Sequence, residues 1–178
     1  MMKKKLSIIP YITFISIILI FFYLLIIQRN PSEIPSVFIN KEIPKFESSS
    51  ILNKKKFVSS ENFNNEVTLV NFFATWCKPC RDEHIFIKKF AETNNIKVLG
   101  INYKDDPKKT MKLIEELGNP YYEILMDRNG RTAIDWGVYG IPETFVINSE
   151  KIIKYRHVGP INEKSYQKIS SIINKIKK

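Results

Sequence analysis

The apolar positions of this chain fall into three patterns. From Leu6 to Ile27 there are 22 uncharged residues dense in Ile, Leu, Phe and Tyr. At about 1.5 Å per residue, that run is long enough to span a bilayer's hydrocarbon core as a helix. Val67 to Phe73 is apolar at nearly every position, as in a strand covered on both faces, and Ile96 to Tyr103 repeats the pattern. Ile87, Phe90 and Ala91 instead recur at helical spacing and predict a helix from about Lys78 to Thr93.

Other elements follow from the same signals. Asp106-Pro107 is a helix start, a capping side chain followed by proline at the first position. Met111, Leu113, Ile114 and Leu117 supply that helix's apolar face, and Gly118 sits where its stop belongs. Tyr122 to Met126 reads as a short strand closed by the turn Asp127-Arg128-Asn129-Gly130. Thr144 to Ile147 and Ile152 to Tyr155 flank Asn148-Ser149-Glu150 as an antiparallel hairpin. Tyr166, Ile169, Ile173 and Ile176 line one side of a last helix. Upstream, Ile39 to Phe46 and Lys56 to Val58 are short extended pieces around a polar loop at Ser48 to Ser50, and Ser59 to Asn65 is turn-like. The order β-α-β-α-β-β-α predicts an α/β sandwich.

This divides the chain into a short basic leader (1–5), an apolar anchor (6–27), a tether (28–38) in which Pro31 and Pro35 discourage helix, and a domain (39–178). A cleaved signal peptide would have a shorter apolar stretch and a small-residue cleavage site. Gln28-Arg29-Asn30-Pro31 follows instead, which favours an uncleaved anchor. Lys3, Lys4 and Lys5 before the span, against Arg29 after it, place the N-terminus in the cytoplasm and the domain outside it. In a bacterium with two membranes that is the periplasm, an oxidising compartment.

The net charge of +10 invites a nucleic-acid reading. Four of the basic residues flank the anchor, however, and the remaining 24 face 18 acidic residues in a chain rich in Lys, Asn and Ile throughout. A solvated basic surface accounts for that excess, and no nucleic-acid partner is expected.

The chemistry sits at Trp76-Cys77-Lys78-Pro79-Cys80-Arg81, which holds both cysteines of the chain. The strand–turn–helix pattern brings Cys77 to the first turn of a helix, where unpaired N–H groups and the helix dipole favour a thiolate. Pro79 gives up an N–H that has no helical partner there. A zinc site needs four ligands, and only His84 and His157 remain to complete one. Haem attachment requires a histidine directly after the second cysteine, where Arg81 stands. A structural disulfide across two residues closes too small a loop to constrain much of the unfolded chain. A redox dithiol, with no metal and no cofactor beyond the cysteine pair, is the preferred reading. A second stretch, Trp136 to Phe145, has two glycines and a proline before an apolar strand, the setting of a tight turn with a candidate cis peptide at Ile141–Pro142.

Taken together, the dithiol and this proline loop resemble the thioredoxin superfamily. Ala74-Thr75-Trp76-Cys77 with Arg81-Asp82-Glu83-His84, Gly100 to Asp106, Leu117 to Tyr121, Gly137 to Phe145, Tyr155 to Gly159 and Lys41 to Phe46 are similar to the DsbE/CcmG branch, the thiol:disulfide interchange proteins of cytochrome c biogenesis. The resemblance implies a thioredoxin-like sandwich, a central mixed sheet flanked by helices, behind one N-terminal transmembrane helix. It implies that Cys77 attacks and Cys80 resolves, that Trp76 shields the sulfurs or packs in the core, and that the backbone at Ile141, before cis-Pro142, holds the substrate chain. Glu83 and Glu143 match carboxylates of the branch and are either redox-tuning groups or surface acids. Lys78 either favours the Cys77 thiolate or faces solvent. Thioredoxin's buried aspartate six residues before the first cysteine is replaced by Asn71, and Ile141 is larger than the residue expected there. The implied partners are apocytochrome c or a partner thiol carrier as substrate, and a membrane thiol electron donor. Two rival functions remain. One is a peroxide-reducing enzyme of the superfamily, whose Pro-x-x-x-Thr-x-x-Cys arrangement is replaced here at Val70 and Ala74. The other is a non-catalytic module binding apocytochrome or haem.

Overall fold

The computed structural model describes residues 8–26, 38–53, 57–63, 66–93 and 96–177. The leader, most of the tether (28–37) and the ends of the apolar run lie outside the described residues. Two units are separable, Met1–Glu33 and Ile34–Lys178. In the first, helix α1 (Ile9–Ile26) covers 18 residues of the apolar run. That is about 27 Å against the roughly 30 Å of a hydrocarbon core. Among the described residues no helix is long and apolar enough to cross a membrane.

In the second unit, strand β3 (Thr68–Phe73) is buried along its whole length because it is the middle of a five-stranded sheet. The sheet order is β5-β4-β3-β6-β7, with β4 Lys97–Tyr103, β5 Glu123–Asp127, β6 Glu143–Ile147 and β7 Ile153–Val158. β4 runs parallel to β3 and β5 parallel to β4, whereas β6 is antiparallel to β3 and β7 to β6. The sheet is therefore mixed.

Successive side chains of a strand point to opposite faces. Leu69 and Phe73 of β3 pack with Ile87 and Phe90 of helix α2 (Lys78–Thr93) and with Ile169 and Ile173 of helix α5 (Glu163–Ile176). Val70 and Phe72 face the other layer, around Trp136, Phe145 and Ile153. Asn71, at the alternate position between Leu69 and Phe73, thus shares the face covered by α2. Helix α3 (Pro107–Leu117) adds Leu113 and Ile114 to the α2 side. It starts as expected, with the Asp106 side chain accepting from the Lys108 N–H at 2.7 Å.

The upstream segment departs from expectation. Ser48 and Ser49, expected within a polar loop at Ser48 to Ser50, belong instead to strand β1 (Glu47–Ser49), which pairs with β2 (Phe57–Ser59). Residues 39–46 form no strand, but a bridge between Glu42 and Ile152 lays them along the edge of β7. Ser50 bridges Leu125 on the opposite edge, at β5. Both sheet edges are covered where unpaired N–H and C=O groups would otherwise be exposed. A five-residue helix, α4 (Arg131–Asp135), follows the expected turn, with Gly130 in the left-handed region at φ 73°.

Candidate active site

β3 ends at Phe73, and a short turn delivers Cys77 to the position before the first residue of α2. Cys77 and Cys80 form a disulfide, with their Cα atoms 5.3 Å apart. The Cys80 N–H, unpaired within the helix, donates toward Cys77 Sγ at 3.2 Å. That donor favours negative charge on Cys77 once the disulfide opens. Opposite it stands the loop before β6. The Ile141–Pro142 peptide is cis, and the Ile141 carbonyl oxygen lies 3.7 Å from Cys77 Sγ. Both sulfurs are largely covered, at 5 % and 6 % residue exposure.

The chain as a whole has relatives among known proteins. The chain matches the Redoxin family over residues 39–173. It is 36% identical over 169 residues to the thiol:disulfide interchange protein DsbE of Vibrio cholerae, covering 93% of this chain and 91% of that one. It is 38% identical over 172 residues to the protein of the same name from Escherichia coli K12, again covering 93% and 91%. The chain belongs to the DsbE family of thiol:disulfide interchange proteins. It is a thiol-disulfide oxidoreductase, with Cys77–Cys80 as the disulfide in the family's Cys-x-x-Cys arrangement. The crystal structure of a secreted thiol-disulfide isomerase from Corynebacterium glutamicum superposes with a TM-score of 0.68 at 19% identity, over 83% of this chain and 96% of that one. This likeness shows the thioredoxin-like fold.

Around the dithiol of this DsbE-family chain the two glutamates are not surface acids. Glu83 is 1 % exposed and Glu143 fully buried. Glu83 lies one turn beyond Cys80 on the same face of α2. Its Oε1 accepts from Asn71 Nδ2 at 2.8 Å and its Oε2 from the Ile161 N–H at 2.8 Å. Burial pushes its carboxyl up to about 8, the two donors pulling the other way. An acid of that strength is close to an ordinary thiol, near 8.5. Proton exchange between a carboxyl of this kind and a thiol is therefore nearly balanced. The acid absent from position 71 is supplied in this layer by α2.

Glu143 follows cis-Pro142 directly. Its Oε2 lies 2.7 Å from both Nε and Nη2 of Arg156, and its Oε1 accepts from the Tyr139 N–H at 3.3 Å. Arg156 also donates to the Gly137 carbonyl at 2.8 Å and stacks beneath the exposed Tyr139 ring. Glu143 is thus the anchor of the proline loop.

Lys78 is exposed and pairs with Asp82 at 2.8 Å, one turn along α2. Its charge is shared with that carboxylate, and a pair this exposed contributes little. Trp76 is 60 % exposed, so the core alternative for it fails. It leans on Tyr103 and donates from Nε1 to the Lys104 carbonyl at 3.4 Å. Among the described residues no group of three or more His, Cys, Asp or Glu side chains is placed to hold a metal ion. His84 and His157 are buried singly, their Nε2 atoms paired with the carbonyls of Gly118 and Pro160, and burial holds both imidazoles below their usual range.

Sequence reasoning missed Asp105. Its carboxylate accepts from both the N–H and the hydroxyl of Thr75, the latter at 2.9 Å, and from Asn102 Nδ2 at 3.1 Å. This ties the dithiol turn to the end of β4. The signal was faint: an aspartate directly before the helix-capping Asp106, with no local pattern to mark its partners.

Proposed function

We propose that this oxidoreductase is held in the bacterial inner membrane by residues 6–27, with its dithiol domain in the periplasm, and reduces disulfides of apocytochrome c or of a partner thiol carrier during cytochrome c maturation. The observation that carries the exchange chemistry is the Cys77–Cys80 pair at the start of α2, facing the Ile141 carbonyl across the cleft. A reduced Cys77 thiolate attacks a substrate disulfide, forming a mixed disulfide and releasing one substrate thiolate. Cys80 gives its proton to the Glu83 carboxylate and attacks Cys77 Sγ. The Cys77–substrate bond breaks, the second substrate sulfur leaves as thiolate, and the dithiol ends oxidised. The cysteine pair is the whole redox couple, and no bound cofactor takes part. A membrane thiol donor then returns it to the reduced state. Charge asymmetry about the apolar run, three lysines against one arginine, supports the orientation. Anchoring keeps the dithiol near donor and acceptor at raised effective concentration.

The test is a Cys80→Ser variant of the full-length chain, which leaves mixed disulfides unresolved on Cys77. Apocytochrome c or a thiol carrier of that pathway should be trapped, and Cys77→Ser/Cys80→Ser should abolish cytochrome c maturation. Normal maturation in the double variant would overturn the reading in favour of a binding module. Efficient peroxide consumption would favour the peroxidase, although Val70 and Ala74 are both fully buried in the core and supply no hydroxyl there.

A further inference from the structure

Asn71 uses both N–H donors and one acceptor position of its amide in the layer beneath α2. Nδ2 donates to Glu83 Oε1 at 2.8 Å and to Thr144 Oγ1 at 3.1 Å, while Oδ1 accepts from the Tyr121 hydroxyl at 2.9 Å. The two ends of an amide are nearly equal in shape, so its neighbours decide which way it faces. Turned over, it would aim Oδ1 at Glu83, an arrangement that suits only a protonated carboxyl. The Tyr121 O–H rewards the orientation that aims Nδ2 at Glu83 instead.

Tyr121 is itself fixed. It is buried, stacks on Phe73 with ring centres 4.8 Å apart, and meets the edge of His84. Its N–H donates to Asn119 Oδ1 at 3.0 Å. The phenol reaches Asn71 through space left open at Gly100, where a Cβ would come within 2.9 Å of the Tyr121 ring.

We propose that Tyr121 is a positioning residue for thiol exchange: its hydroxyl holds the Asn71 amide donor toward Glu83 and so sets how readily Glu83 takes the proton that Cys80 gives up. This rests on the exchange reaction proposed above. The titratable groups gathered here are Cys80 and His84 on α2, Tyr121 before β5, and His157 on β7 opposite Thr144. Burial keeps both histidines neutral where Glu83 titrates, with Arg81 and Lys88 acting on His84 and Lys168 on His157 in the same direction. Burial and the Glu83 charge keep the Tyr121 phenol protonated. The proton count in this layer therefore changes at Glu83, joined by Cys80 only once the disulfide is reduced.

The experiment uses the full-length protein in detergent micelles, with the Glu83 carboxyl followed by carbon-13 NMR across pH. Tyr121→Phe keeps the ring and removes the hydroxyl. With Oδ1 stranded, the amide turns and the protonated form of Glu83 gains, so the midpoint should rise by about one pH unit. The pH profile for oxidation of the reduced dithiol by oxidised glutathione should move the same way, and Tyr122→Phe should move neither. An unchanged midpoint in Tyr121→Phe, with exchange intact, overturns the proposal alone. Failure of the unaltered protein to exchange with oxidised glutathione overturns the underlying reading instead. A second measurement needs no variant: the Asn71 side-chain N–H protons should exchange slowly with solvent and shift with the Glu83 midpoint. Shifts indifferent to that midpoint would also overturn it.

Discussion

Arg156 reaches Glu143 through two of its nitrogens, Nε and Nη2, each 2.7 Å from the same carboxylate oxygen. The glutamate is fully buried and the arginine side chain nearly so, at 9%. The pair joins β7 to the first residue of β6, and through the Gly137 carbonyl and the Tyr139 N–H it fixes the backbone leading to Pro142. The carbonyl that faces Cys77 thus depends on a charge pair one strand away.

Removing one partner strands the other charge. Arg156→Met should destabilise the domain by about 3–5 kcal/mol, read as a lowered thermal midpoint by circular dichroism. Arg156→Met/Glu143→Leu should recover much of that loss, because an apolar pair of similar volume leaves no unmatched charge. A double variant as unstable as the single one would mean that the loop, rather than the ion pair, carries the energy.

Asp105 governs the opposite wall of the site. Asp105→Ala leaves the Thr75 N–H and hydroxyl, and the Asn102 amide, short of their acceptor. The expected cost is about 1–3 kcal/mol. The rate at which the reduced dithiol reacts with oxidised glutathione should fall as the turn before Cys77 loosens. Asp105→Asn, which keeps one acceptor oxygen, should lie between. An unchanged rate in Asp105→Ala would show that the turn holds its shape without this carboxylate.

Stability should depend on pH through Glu83. Its carboxyl titrates at about 8 in the folded chain against an ordinary 4.5. Between those values the folded state holds a proton that the unfolded state has lost. The contribution of this carboxyl to stability is therefore fully present near and below pH 4.5 and is lost as pH rises to about 8. Its share of the slope is about 1.4 kcal/mol per pH unit over that window. Below about pH 6.5 it is opposed by the two buried histidines, which are held below their usual range. Glu83→Gln should remove this slope, as measured by denaturant unfolding of the reduced protein at several pH values. A slope equal to that of the unaltered chain would place the titration elsewhere.

Periodicity suffices for β3, α2, β4, α3 and the β6–β7 hairpin, because each buries a face whose spacing is written in the chain. It misses α4, since five residues make too few turns to repeat. It also misses β1, whose Glu47, Ser48 and Ser49 pair as a short strand on the strength of backbone hydrogen bonds that leave no apolar signature. The same division runs through the site. Cys77 and Cys80 announce themselves by spacing, and Pro142 by its glycine-rich setting. Whether Glu83 and Glu143 face water or the interior depends on what lies across the layer. For Glu83 that is Asn71, twelve residues earlier, and the Ile161 N–H; for Glu143 it is Arg156. Asp105 and Tyr121 act through partners distant in the chain, such as Thr75 and Asn71, and no local pattern marks such pairs.

Gly100 offers the most direct check on this layer. It sits within β4, where glycine is a poor strand residue, yet a Cβ there would lie 2.9 Å from both Phe73 Cε1 and Tyr121 Cδ1. Those two rings are stacked and have no room to part without moving the phenol away from Asn71. Gly100→Ala should therefore cost about 1–3 kcal/mol through overpacking, despite alanine's lower backbone entropy cost. Because the displaced phenol loses its grip on the amide, the Glu83 midpoint should also rise, in the same direction as Tyr121→Phe. Combining Gly100→Ala with Tyr121→Leu, whose smaller side chain vacates the ring's place, should restore part of the stability but not the midpoint. Recovery of both would mean that packing alone, and not the hydroxyl, controls the carboxyl.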